Sequence, residues 1–180
     1  MTFPIRPVRD DDSQDLFGLL ALCFAEYPGC YVDPHDDLPD LLRPAQAYAR
    51  TGGAFWIAED ERGRARGCVA VDLPQAGLAE LHRLYVRPDQ RRQGLGETLI
   101  QMAEEFARQS GAARLVFWSD TRFTAAHRLY ARLGFAQSGQ TRDLGDISRS
   151  REYFFEKSLT DQPAAMGDSS YRAKRSSGSL

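Results

Sequence analysis

The chain has 180 residues, enough for one domain with a sizeable core, and its 42% hydrophobic and 27% charged content is that of a folded globular protein. A formal net charge of −2 provides no general basic field for nucleic acid or an anionic membrane. No apolar run reaches the roughly 18 residues of a transmembrane helix, the N-terminus Met1-Thr2-Phe3-Pro4-Ile5-Arg6 lacks a signal-peptide core, and Cys23, Cys30 and Cys68 show no Cys-x-x-Cys spacing, so a cytoplasmic protein with reduced thiols and no metal site is expected.

In chain order, residues 3–8 read as a short strand. Asp10, Asp11, Asp12 and Ser13 offer N-caps for a helix in which Leu16, Leu19, Leu20, Cys23 and Phe24 recur at helical spacing, and Tyr27-Pro28-Gly29 stops it. A loop precedes a second helix over residues 38–50, interrupted near Pro44. Residues 54–59 and 65–73 read as strands joined by a polar turn, and Pro74-Gln75-Ala76-Gly77 as the next turn. A strand over 79–86 leads to a helix over 95–108 that presents Leu95, Leu99, Met102, Ala103 and Phe106 on one face and ends at Gly111. Residues 113–118 read as a strand, 124–132 as a short helix, and 135–139 and 151–158 as the last strands, with a polar loop over 142–152. From Asp161 onward the chain is rich in Ser, Ala, Gly and basic residues, so a disordered tail over 160–180 is expected after one domain over 3–159.

The most informative segment is Arg91-Arg92-Gln93-Gly94-Leu95-Gly96, between a strand and a helix. The first backbone N–H groups of a helix have no intrahelical partner, and the helix dipole puts partial positive charge there. Glycines let a phosphate approach the backbone, and Arg91 and Arg92 can add charge-assisted hydrogen bonds. The segment lacks the Lys-Ser/Thr pair of a P-loop, and position 99 is leucine where a dinucleotide fingerprint needs glycine. A pyrophosphate site of another kind remains. Downstream runs Ala126-His127-Arg128-Leu129-Tyr130-Ala131-Arg132-Leu133-Gly134-Phe135, a short helix ending in Tyr-x-x-x-Gly-Phe.

The Arg-x-x-Gly-x-Gly turn followed by this helix resembles the GNAT superfamily of acetyl-CoA-dependent N-acyltransferases, and the resemblance covers residues 5–159. It implies an α/β fold with mixed α+β character: a central mixed, mostly antiparallel sheet flanked by helices. The strand over 79–86 would splay from the one over 113–118, and the pantetheine arm of acetyl-CoA would pair with the backbone at Leu84, Tyr85 and Val86. The backbone from Arg92 through Gln93, Gly94, Leu95 and Gly96 to Glu97 would hold the pyrophosphate, with Arg91 beside it.

The resemblance also implies amide formation by direct attack of an amine on the thioester, with Tyr130 as the acid near sulfur. Glu80 and His82 stand two apart on a strand, so they share a face and are the candidates for accepting the amine's proton. His127 reads as a helix-surface residue. One departure concerns Phe123, where many family members carry an asparagine that contacts the cofactor; Asp120 or Arg122 would have to take over that contact. The acidic and aromatic segment from Glu26 to Asp37 and the loop after Arg142 would border the acceptor. A small-molecule amine is the expected acceptor, with a protein or peptide amine, or a non-catalytic acyl-CoA-binding role, as alternatives. Exposed sheet edges allow a homodimer.

Overall fold

The structure, a computed structural model, describes residues 4–160. Phe3 and the expected tail from Asp161 lie outside the described residues. Seven strands form one sheet: β1 (Ile5–Pro7), β2 (Ala54–Glu59), β3 (Ala65–Gln75), β4 (Leu78–Val86), β5 (Arg114–Asp120), β6 (Ala136–Asp143) and β7 (Arg151–Ser158), in the spatial order β1-β2-β3-β4-β5-β7-β6. The α-helices are α1 (Ser13–Phe24), α2 (Pro44–Ala49), α3 (Leu95–Gln109) and α4 (Thr124–Arg132). Every strand pair is antiparallel except β4 with β5. Element order and sheet character are those expected.

Strand periodicity assigns the two faces. Val69, Val71, Ala79 and Leu81 point to the α3 side, where Leu95, Leu99, Ile100, Ala103 and Ala107 close the main core. Phe55, Ile57, Cys68 and Ala70 point the other way, under Leu16, Leu19, Leu20 and Cys23 of α1 and Tyr48 of α2. Those two helices pack on β2, β3 and β4. Further across the same face, β5 and β7 carry a small separate cluster of Val116, Phe154 and Trp118 with Leu78.

Several local expectations are corrected. The acidic run before α1 does not cap it through a side chain. Asp12 instead takes both guanidinium nitrogens of Arg6 at 2.7 Å, and Asp10 accepts the Gln46 N–H at 3.1 Å in the first turn of α2. A bidentate guanidinium–carboxylate pair outcompetes a single cap bond to a backbone N–H. In α3 the row Leu95, Leu99, Ala103, Ala107 faces the sheet, so Met102 and Phe106 sit at its flank, half-buried, with Phe106 edge-on to Trp56 at 5.4 Å. Glu104 is buried in the same helix because Lys157 Nζ and Arg108 Nη2 donate to it at 2.6 and 3.0 Å. Strand β3 runs on through Pro74, where the register with β4 shifts and the missing N–H is tolerated, leaving a turn at Ala76 and Gly77. Strand β6 likewise extends to Asp143, taking Arg142 out of the expected loop.

Ile100 is 1% exposed, whereas Met102 is half-buried. Ile100→Ala should therefore cost about 2–5 kcal/mol in urea unfolding, and Met102→Ala less than about 1.5 kcal/mol, both at unchanged m-value.

Candidate active site

The parallel pairing of β4 with β5 covers only Leu78, Ala79 and Glu80, opposite Arg114, Leu115 and Val116. Beyond Glu80 the strands part. On its other side β4 carries a bulge: Ala70 pairs with His82 but Cys68 with Tyr85, so β4 spends one more residue than β3. Arg83 sits in the bulge at φ +52°. A bulge bends its strand and increases its twist, which carries residues 84–86 away from β5. The result is a V open at its wide end, with Glu80 at the apex.

The wide end opens at the Gly94 turn. Arg92 and Gly94 take φ of +61° and +87°, and Gly94 is the N-cap of α3 with no side-chain bond to the first N–H groups. Gly96 is needed for space instead: a Cβ there would lie 3.2 Å from Leu129 Cδ2. The structure engages Arg91 within the fold, with Nη2 2.6 Å from Glu26 and Nε donating to the Val86 carbonyl at 3.0 Å. Arg92 and Gln93 are exposed in the turn.

Tyr130 lies on the α3 side of the V. Gly134 at φ +85° ends α4, and the Phe135 N–H reaches back to the Tyr130 carbonyl at 3.0 Å, a helix stop of the expected kind. The Tyr130 ring packs edge-on against Phe117 at 4.6 Å and Phe155 at 5.3 Å. Burial pushes its phenol up to about 12, so it is protonated at neutral pH. His127, expected on the helix surface, is half-buried on the same face of α4, with Nε2 3.2 Å from Ser119 Oγ.

Glu80 and His82 share the opposite face, as expected. His82 Nε2 lies 3.8 Å from Glu80 Oε2 and 3.6 Å from Asp72 Oδ2. The ring is 30% exposed, yet Nε2 itself is shielded and has no hydrogen-bond partner. Burial, with the nearby Arg83 cation, lowers His82 to about 4, so the ring is neutral at pH 7. Burial raises the Asp72 carboxyl, against a hydrogen bond from Thr51. Arg83 is a residue that strand alternation alone does not reveal. The bulge aims it at Asp40, with bonds of 2.6 and 2.9 Å, and the Tyr48 hydroxyl donates to Asp40 at 2.9 Å.

Across the V, Asp120, Glu152 and Arg142 stand in register on β5, β7 and β6. Arg142 Nε donates to Glu152 at 2.6 Å, and its guanidinium lies 4.4 Å from the Trp118 ring centre. Asp120 and Arg122 pair with each other at 2.6 Å. Phe123 joins an aromatic chain, 4.8 Å from Tyr27 and 6.0 Å from Phe24, which in turn lies 5.7 Å from Tyr85. The chain ties the end of α1 to the start of α4. Within the segment after α1, Glu26 holds Arg91 and Asp33 accepts the N–H groups of His35 and Asp36 at 3.0 and 3.1 Å, so part of its acidity is spent internally. No cluster of metal-binding side chains occurs among the described residues, and none of their helices is long and apolar enough to cross a membrane.

Comparison with known proteins matches residues 16–135 to the family described as Acetyltransferase (GNAT) family. The chain belongs to the GNAT family. An uncharacterized N-acetyltransferase of Schizosaccharomyces pombe is 35% identical over 97 residues, 53% of this chain, which spans 60% of that protein's length. The L-methionine sulfoximine/L-methionine sulfone acetyltransferase of Pseudomonas aeruginosa is 33% identical over 146 residues, covering 77% of this chain and 84% of that protein. The PaiA N-acetyltransferase of Thermoplasma acidophilum, solved with coenzyme A, shares the fold at a TM-score of 0.64 and 19% identity, over 88% of this chain and 99% of that one. Acetyl-CoA, the family's co-substrate, fits this GNAT chain. The open side of β4 offers backbone to an extended arm, and the Gly94 turn offers N–H groups to a pyrophosphate without a capping side chain in the way.

Two outcomes follow from the geometry. Gly94→Ala forces a Cβ into a positive φ, which should cost about 1 kcal/mol of stability and weaken acetyl-CoA binding about tenfold by calorimetry. His82 is held near 4 when folded against an ordinary 6.5, so its contribution is present above pH 6.5 and is lost as pH falls through 4. Unfolding free energies measured across that window should decline with falling pH, and His82→Gln should flatten the decline.

Proposed function

We propose that the protein is an N-acetyltransferase that moves the acetyl group of acetyl-CoA directly to the amine of a small molecule. The observation that carries this reading is the parting of β4 from β5 just past Glu80, with the capless α3 N-terminus at the open end and Tyr130 beside the gap. The Arg87 N–H donates to Arg66 on β3, so strand alternation turns the backbone of Leu84 and Val86 toward the gap and that of Tyr85 toward β3. In this reading Leu84 and Val86 pair with the pantetheine arm, and Tyr85 contributes its ring. The N–H groups from Arg92 to Glu97 hold the pyrophosphate.

Acetyl-CoA supplies an activated acyl carbon; the chain's residues handle protons. Glu80 at the apex takes the proton that the amine must lose, and His82, kept neutral by burial, stands between Glu80 and Asp72 as the weaker acceptor. Tyr130, kept protonated by burial, gives its proton to the departing sulfur. The side of the V opposite α3 receives the acceptor, because α3 and α4 cover the other side. The carboxylates of Asp72 and Glu80 on that side favour a cationic amine, and the arginine-paired Asp40, Asp120 and Glu152, with the Arg142–Trp118 pair, form the surrounding walls. The Pseudomonas relative, which by name acts on an amino-acid analogue, supports a small acceptor. A cytoplasmic setting suits three cysteines that are in no disulfide, and the exposed edge strand β6 suits a homodimer.

Thiol release from acetyl-CoA against polyamines, amino acids and their analogues, amino sugars, aminoglycosides and short peptides tests the reading. One class of small amine should drive release, and Tyr130→Phe and Glu80→Gln should each lower kcat about a hundredfold. Preference for peptides would favour the protein acceptor. No release with any amine would overturn transfer and leave acyl-CoA binding.

A further inference from the structure

Tyr130 is buried among Phe117, Phe135 and Phe155, a wall that carries no proton. An acid in such a place acts once and must then be recharged. Its hydroxyl lies within hydrogen-bonding reach of one side chain of β5, Ser119. Ser119 is itself 6% exposed and follows Phe117 by two residues, so both face α4. His127 precedes Tyr130 by one helical turn and so lies on the same face of α4. Its Nε2 is 3.2 Å from Ser119 Oγ. The imidazole is partly exposed and braced by Tyr153 at 5.7 Å and Phe155 at 5.1 Å. Ser119 thus stands beside both the buried phenol and the half-exposed ring, and is bonded to the ring.

We propose that Ser119 and His127 are the proton-return path of Tyr130, an inference that rests on Tyr130 being the acid. When the carbon–sulfur bond breaks, the Tyr130 O–H proton goes to the sulfur and leaves a phenolate. The Ser119 O–H proton moves to that phenolate as the His127 Nε2–H proton moves to the Ser119 oxygen. Solvent protonates the imidazole at its other nitrogen, exchange with solvent returns the ring to its Nε2–H tautomer, and the proton that Glu80 took from the amine passes to solvent. The sum is one proton from the amine to the thiol, with nothing oxidised or reduced. Ser119 and His127 are positioning residues here, because they act through Tyr130. A hydroxyl suits the middle position, since it can accept from one neighbour while donating to the other.

The test compares Ser119→Ala, Ser119→Thr, His127→Gln, Tyr130→Phe and the Ser119→Ala/Tyr130→Phe double variant in thiol release. Acetyl-CoA and the most active amine of the panel are the substrates. Ser119→Ala and His127→Gln should each lower kcat about tenfold at unchanged KM for acetyl-CoA, and Ser119→Thr should restore the rate. Added to Tyr130→Phe, Ser119→Ala should have no further effect, because its route is already cut. Losses that multiply in the double variant, or that fall on KM, would mean that Ser119 only shapes the site and would overturn the proposal. A slow Tyr130→Phe beside an unimpaired Ser119→Ala would sink the relay alone. An unimpaired Tyr130→Phe would remove the acid assignment and the relay with it. Should Ser119→Ala fail to fold, His127→Gln alone and in the Tyr130→Phe background carries the same comparison.

Discussion

Strand β4 cannot follow β5 past Glu80, and the site is built on that refusal. One extra residue at the Arg83 bulge bends β4 while β3 still holds it, so the bend is taken up on the β5 side. A sheet interior that would otherwise be closed by hydrogen bonds becomes an exposed backbone edge inside the domain. The bulge is costly, since a non-glycine residue sits at positive φ. The Arg83 side chain offsets that cost through a bidentate bond to Asp40. Burial raises the Asp40 carboxyl, but the Arg83 charge and the bonds from Arg83 and Tyr48 outweigh it and hold the carboxylate ionised. Asp40 lies in the short helical turn before α2, so the helices on that face are tied to the bend.

Two charge arrangements divide the labour on either side of the opening. At the mouth, positive charge comes from backbone N–H groups that Gly94 cannot cap and from the exposed Arg92, while Arg91 is spent on Glu26 and the Val86 carbonyl. At the apex, Glu80, Asp72 and His82 crowd together. Burial favours the neutral forms, raising the Asp72 carboxyl and lowering the His82 imidazole, so the carboxylates rather than the ring are the better proton acceptors there. The aromatic chain from Tyr85 through Phe24 to Phe123 and Tyr27 bridges α1 and α4 across the mouth.

Much of this was legible in the chain itself. The Gly94 turn, the Tyr130 to Phe135 stop and the shared face of Glu80 and His82 depend on local backbone preference and strand alternation, and each is found where expected. Three failures share one cause. Asp12 was free to cap α1 until Arg6 arrived from β1. Met102 and Phe106 fit an apolar stripe until the crossing of α3 over the sheet selected a different row. His127 read as a surface residue until β5 placed Ser119 beneath it. In each case a neighbouring element of the fold outbid a local preference.

What the sequence by itself determined is therefore the set of elements, their order, and the glycine turn before α3, which follow from periodicity and glycine placement over a few residues, and the family, which its two motifs carry. Only the tertiary structure decided where β4 leaves β5, that Arg83 rather than a neighbour turns to Asp40, and that Ser119 stands between Tyr130 and His127. A bulge is a mismatch between two strands, and a hydrogen-bonded path is a meeting of a strand with a helix. Neither exists until both partners are packed, so no pattern within one of them can announce it.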